Sequence, residues 1–237
     1  MAESNFWTTL GEELGEFFGD PYKAGVLSAT DADVVFMDPS EINSPEEYKQ
    51  ALEDHEPGLS QKFVDVARER PFLSDMSSEE TFETYHKILE NIGPHAINIP
   101  GSGSCIVAEP GPDWDTGQEI LSGAAGEDFD SSHLDGDDVV RGLGVHEGTH
   151  CNQHGGIFLK EEVQADEAAM RDAVARGAPD VAKAFHEARQ AGQVHDPNDD
   201  KHHTAEHIDI GSIIGHDTRY SVEKRAVEGV EYNPEIH

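Results

Sequence analysis

Basic residues are what this sequence most conspicuously lacks. Lys and Arg together number 16 among 237 residues, against 49 Asp and Glu, so the formal net charge is −33. A surface of that sign repels nucleic acid and anionic membrane, and neither is an expected partner. The surplus is compatible with a high-salt source or with attraction of basic substrates; its simplest role is solubility. Cysteine is nearly absent: Cys105 and Cys151 are too few for a disulfide framework or a four-cysteine zinc site. Long apolar runs are missing as well, and no stretch approaches the roughly 18 apolar residues of a membrane span. The start, Met1-Ala2-Glu3-Ser4, has no basic residue and leads into no apolar core, so no secretory signal is visible. The default expectation is a cytoplasmic protein, with export by a dedicated secretion system left open.

What the chain does have is a length suited to one domain, 237 residues, with a mostly helical part over 1–93 and the remaining elements over 94–237. Apolar positions three and four apart predict an amphipathic helix over 5–19. Val34-Val35-Phe36-Met37 reads as a short strand ended by Asp38-Pro39. Ser44-Pro45-Glu46-Glu47 opens a helix to about Leu52, another follows from Leu59 to Glu69, and a third runs from Ser78 to Gly93. Two strands come next, His95–Ile99 and Cys105–Ala108, joined by a Gly/Ser/Pro turn. Residues 109–138 are acidic and glycine-rich. Asp128, Asp130, Asp135, Asp137 and Asp138 could hold calcium, but without a recognised calcium-loop spacing the stretch reads as a solvated loop. The class expected is α+β: mainly helical, with a small sheet.

Histidine is plentiful, 14 in all, and two of them carry the chemistry. Val145-His146-Glu147-Gly148-Thr149-His150 contains the zinc-binding pattern His-Glu-x-x-His. Residues four apart share a helix face, so His146 and His150 can grip one ion. Glu147 stands beside that ion, where a general base for water belongs. Asp137 or Asp138 can cap the helix, and Val139 and Leu143 continue its stripe into the two histidines. Gly155-Gly156 should end it just after His154, which is a flanking residue one turn further along. Cys151 points off the ligand face and reads as packing.

A second helix is predicted over 157–177. Folding the chain back at Gly156 sets position 162 opposite 150 and position 166 opposite 146. Glu162 can then complete a His, His, Glu set that leaves a fourth position open, with Glu161, about 100° around the helix, as the competing ligand. Asp166 can accept the free ring N–H of a ligating histidine. Val181–Gln190 reads as a further helix with Phe185 on its buried side, followed by a polar, histidine-rich tail.

His146-Glu147-x-x-His150 with Glu162-x-x-x-Asp166 resembles the zincin metallopeptidases, in particular the Glu-ligand branch called gluzincins; Glu162-Val163-Gln164-Ala165-Asp166 resembles the Glu-x-x-Ala-Asp segment of several bacterial zincin families. The resemblance covers positions 137–172. Its third ligand follows sooner than in thermolysin-like members, and the metzincin pattern is not met, since Gln153 and Gly156 stand where Gly and His are wanted. The resemblance implies a zincin-like fold and a Zn2+-dependent endopeptidase acting on a protein or peptide substrate. It also implies a strand that holds the substrate backbone, for which 95–99 and 105–108 are candidates. A His or Tyr from the C-terminal segment would stabilise the oxyanion; the candidates are His207, His216 and Tyr220. Two rivals stand beside this reading: a zinc hydrolase with a non-peptide substrate, and a non-catalytic zinc-binding or structural protein.

Overall fold

A computed structural model of the chain describes residues 19–70, 73–91, 93–111, 117, 120–122, 131–153, 159–195 and 203–215. Three strands form one mixed sheet: β1 (Asp33–Met37), β2 (His95–Ile99) and β3 (Ser104–Ala108). β3 is central, parallel to β1 and antiparallel to β2 across the turn at 100–103. All five of its residues are buried, so Cys105-Ile106-Val107-Ala108 is a continuous apolar run rather than an alternating one.

The alternation of side chains divides the core in two. On one face Val35, Met37, Ile97, Ile99, Ile106 and Ala108 meet α2 (Pro45–His55), α3 (Leu59–Ala67) and α4 (Ser78–Asn91). Aromatic rings dominate this layer, with Phe63 against Tyr48, Phe82 and Tyr85 at centroid distances of 4.7–5.6 Å. On the other face Val34, Phe36, Cys105 and Val107 meet α1 (Pro21–Ala29), α5 (Gly136–His150), α6 (Leu159–Ala175) and α7 (Pro179–His195). A 3-10 turn, η1 (Ala205–His207), follows α7, and Ile208 and Ile213 beyond it are buried in the same layer.

The helix carrying the histidines is the best-anchored element of this second layer. α1 crosses it through glycine: Gly144 and Gly148 of α5 and Gly25 of α1 each meet backbone atoms of the other helix, leaving no space for a Cβ. Glycines at 144 and 148 lie on the side of α5 opposite His146 and His150, so the close crossing turns the imidazoles away from α1. At its C-terminal end, Asn152 donates to the Ala29 carbonyl and accepts from the Thr30 hydroxyl, while Asn98 of β2 donates to the Cys151 carbonyl.

Cys151 is more than a packing residue. It is joined to Cys105 in a disulfide, with Cα atoms 5.5 Å apart, because α5 runs over the β3 face on which Cys105 stands. A single bond across 46 residues leaves no framework pattern in the sequence.

Other expectations are met or shifted. The strands stand where predicted, and α2, α3 and α4 match the three predicted helices to within a few residues. α5 begins two residues earlier than expected, with Asp135 rather than Asp137 or Asp138 as its cap. It ends at His150, a turn before the glycine pair, and Cys151–Gln153 form the turn that follows. α1 was not anticipated; its signal was Asp20-Pro21, a capping side chain followed by proline in the first turn. The acidic stretch is not wholly solvated, because Ile120 and Leu121 are buried in the core. Asp135 is a helix cap and Asp138 pairs with Arg176, whereas Asp128 and Asp130 lie outside the described residues, as does the predicted helix over 5–19.

Candidate metal centre

The helical hairpin of α5 and α6 brings three donors together. His146 Nε2 lies 3.1 Å from His150 Nε2, and the Glu162 carboxylate approaches them at 3.4 and 3.6 Å. Ligands 2.0–2.1 Å from a tetrahedral zinc stand about 3.3 Å from one another, the edge of the tetrahedron. The His146–His150 separation is close to that edge, and the two Glu162 oxygens stand at similar distances, Oε2 from His146 and Oε1 from His150. Two imidazoles and a carboxylate are also the donor chemistry that zinc takes, so the residues present fit the ion.

Both histidines are oriented from behind. His146 Nδ1 donates to Asp166 Oδ1 at 2.9 Å, and His150 Nδ1 donates to Gln153 Oε1 at 2.6 Å. The Gln153 amide cannot turn over, because its Nε2 donates to the Glu161 carbonyl at 3.0 Å. In each ring the far nitrogen therefore carries the proton when metal is bound, and Nε2 turns a lone pair to the centre. Glu161 contributes its backbone to this arrangement; its carboxylate is not part of the donor cluster, which is formed with Glu162.

Three carboxylates are buried here, and they differ in what they touch. Glu162 is engaged with both histidines. Asp166 accepts from His146, from both arms of the Arg189 fork and from Thr204. Glu147 is buried at 6 % exposure yet makes no hydrogen bond or ion pair among the described residues. One carboxylate at the centre is thus left with its lone pairs unengaged, and it is the one that follows His146.

The charges explain the protonation states. Burial opposes charging His146, but the hydrogen bonds of Asp166 and Glu162 and the charges of Asp166 and Glu147 outweigh it and push the ring up to about 10 in the metal-free protein. His150 is raised by the same balance, with Glu162 as its main carboxylate. Burial alone would raise Glu162 and Asp166; the histidines instead hold Glu162, and Arg189 with His146 holds Asp166, well below the usual carboxylate range. Without metal, a proton bridges what a cation would otherwise bridge.

Two further groups feel Glu147. Tyr22 is pushed far up, first by burial and then by the Glu147 charge, and its hydroxyl donates to the Ala108 carbonyl at 2.8 Å. His95, at the start of β2, is lowered by burial against the opposing effects of its Gly93 hydrogen bond and of Glu147; its Nδ1 donates to the Gly93 carbonyl at 2.9 Å. His95 stood in the sequence only as a strand residue.

Of the C-terminal candidates, His207 is exposed on η1 and pairs with Glu206 at 3.4 Å, and no contact joins it to the cluster. His216 and Tyr220 lie outside the described residues, as does the flanking His154. Arg189 and Thr204 carry no signal in the sequence, since no local pattern marks a residue whose partner stands 23 or 38 positions away; Gln153, three residues from His150, enters it only as a departure from the metzincin pattern. No protein-family profile, curated protein or solved structure matches the chain.

Proposed function

We propose that this protein is a zinc-dependent peptidase of the zincin type, with His146, His150 and Glu162 as metal ligands and Glu147 as general base. The observation that carries the reading is the pairing of a three-donor cluster with a buried carboxylate that has no other employment. A structural zinc is closed by four protein ligands, whereas a catalytic one keeps a position open; among the described residues, three donors beside a free base favour the second.

Zinc, when bound, supplies a Lewis acid that acidifies water and polarises a carbonyl. Glu147 takes the proton of the attacking water on its carboxylate and passes it to the leaving amine. Asp166 and Gln153 hold the ligand rings so that neither can rotate away. β2 is an edge strand beside the end of α5, and the zincin resemblance gives such a strand the substrate backbone to hold. The peptide as substrate rests on that resemblance; an ester or amide hydrolase would use the same donors.

The test compares wild type with Glu147→Gln. Elemental analysis should find about one zinc per chain in both, and a peptide library should be cleaved by wild type alone. A wild type that takes up no zinc, or a Glu147→Gln variant that cleaves at the wild-type rate, would overturn the reading.

A further inference from the structure

Asp166 is held by more than the histidine it orients. Its carboxylate has four acceptor positions, and all four are filled. Oδ1 accepts from His146 Nδ1 at 2.9 Å and from Arg189 Nη2 at 2.9 Å. Oδ2 accepts from Arg189 Nε at 2.9 Å and from Thr204 Oγ1 at 2.5 Å. Asp166 is 2 % exposed and Thr204 fully buried, so water takes no share of these positions.

The donors come from two elements outside the α5–α6 hairpin. Arg189 lies on α7. His186, three residues before it on the same helix, donates from Nε2 to the Ala205 carbonyl at 3.1 Å, and so fixes the turn in which Thr204 stands. One helix thus supplies the guanidinium directly and holds the chain segment that supplies the hydroxyl.

From this geometry we infer that Arg189, assisted by Thr204, is the positioning residue of the metal centre: it acts through Asp166 to set which nitrogen of His146 faces the ion. The inference rests on the metal reading above. A carboxylate whose two oxygens are gripped by a planar fork cannot swing, and a fully ionised acceptor forces the His146 proton onto Nδ1. The guanidinium also offsets charge that three neighbouring carboxylates would otherwise leave uncompensated, for its field reaches Glu162 and Glu147 as well as Asp166. Without it, Asp166 would be a buried anion short of two donors, and reorienting toward other partners would release His146.

The experiment uses the full chain as wild type, Arg189→Gln, Arg189→Lys and Thr204→Val. Two quantities are read: zinc affinity by competition with a chromophoric chelator, and the His146 Nδ1–H signal in histidine-ring 1H–15N spectra of the metal-free protein. Wild type should show a solvent-protected Nδ1–H. Arg189→Gln should lose that signal and bind zinc about 10- to 100-fold more weakly, the usual cost of losing an outer-shell partner. Arg189→Lys, which restores the charge but not the fork, should recover part of the affinity and not the sharp ring signal. Thr204→Val should shift both readouts in the same direction by less, and it serves as the probe if Arg189→Gln does not fold. A folded Arg189→Gln or Thr204→Val protein with an unchanged Nδ1–H and unchanged zinc affinity would overturn the inference. If wild type binds no zinc at all, the metal reading fails, while the ring signal still reports whether Arg189 governs His146.

Discussion

Gly148 and Val26 touch backbone to backbone: a Cβ on Gly148 would stand 2.3 Å from the Val26 carbonyl oxygen. The same holds one turn earlier, where a Cβ on Gly144 would stand 2.1 Å from the Tyr22 oxygen. The third residue of the His146–His150 interval is therefore fixed by the helix beneath it. The imidazoles stand on the upper face of α5, and where α1 crosses beneath them the lower face is glycine at 144 and 148.

Gly148→Ala should consequently destabilise the fold by about 2 kcal/mol or more, since overpacking against backbone cannot be relieved by a rotamer change. Thermal melts of the metal-free protein would show it. Gly19→Ala, where a Cβ meets nothing within 4 Å, is the control and should leave the melting temperature unchanged or slightly raised. Equal melting temperatures for Gly148→Ala and wild type would contradict the close crossing.

Zinc and protons should compete for the centre. His146 is raised to about 10 without metal, so near neutral pH the ion must displace its proton. His150 is raised as well, so affinity should rise with pH by about tenfold per unit or more between pH 6 and 8, with at least about one proton released per zinc. Calorimetry in buffers of different ionisation heat measures that proton directly. The same shift sets the stability of the metal-free fold. The contribution of charged His146 is fully present below its ordinary value near 6.5 and is lost as pH rises through about 10. Glu162 and Asp166, both depressed, contribute above their ordinary values and lose that contribution only in strong acid. A proton release near zero at pH 7 would count against this charge balance.

Reducing the Cys105–Cys151 bond should lower stability by about 4 kcal/mol in the chain-entropy account of a loop this long. The bond also pins the residue after His150 to the central strand, so zinc affinity should fall with it. Melts and zinc titrations of the Cys105→Ser/Cys151→Ser protein test both effects. Unchanged values in both would mean that Asn98, Asn152 and the core hold the end of α5 unaided.

Salt should stabilise the protein. With a net charge of −33, self-repulsion opposes compaction, and screening shortens its range from about 10 Å at 0.1 M to about 3 Å at 1 M ionic strength. The melting temperature should climb as KCl is raised from millimolar to molar, and sucrose at matched osmolality should not reproduce the full rise. A flat or falling curve would show that the acidic residues are spaced widely enough not to repel.

The centre was legible in the sequence because it is local. His146 and His150 lie one turn apart, and a hairpin centred near 156 is enough to face 162 with 150 and 166 with 146; the observed contacts follow that register. The strands and the helices of the first half announce themselves through proline starts and apolar runs. What could not be read depends on pairing at a distance. The disulfide needs β3 beneath α5, the Arg189 fork needs α7 beside α6, and the parallel partnership of β1 with β3 bridges three intervening helices. α1 was missed for another reason: only Tyr22 and Val26 give its nine residues a buried apolar side chain, and its grip on α5 is made by a glycine.

The Cys105–Cys151 bond has a bearing on which ion the centre meets. Both cysteines of the chain are held in it, so no thiolate stands near the donors even though Cys151 adjoins His150. Thiolates attract soft ions, Cu(I) above all, while imidazole and carboxylate suit borderline ones. With its sulfurs joined, the chain offers a copper(I) ion no thiolate. Opened, the bond would set a soft donor one residue from a ligand. On the proposed zinc reading, pairing the cysteines removes the one pair of thiolates that would favour a softer ion, and the fold does so before any ion arrives.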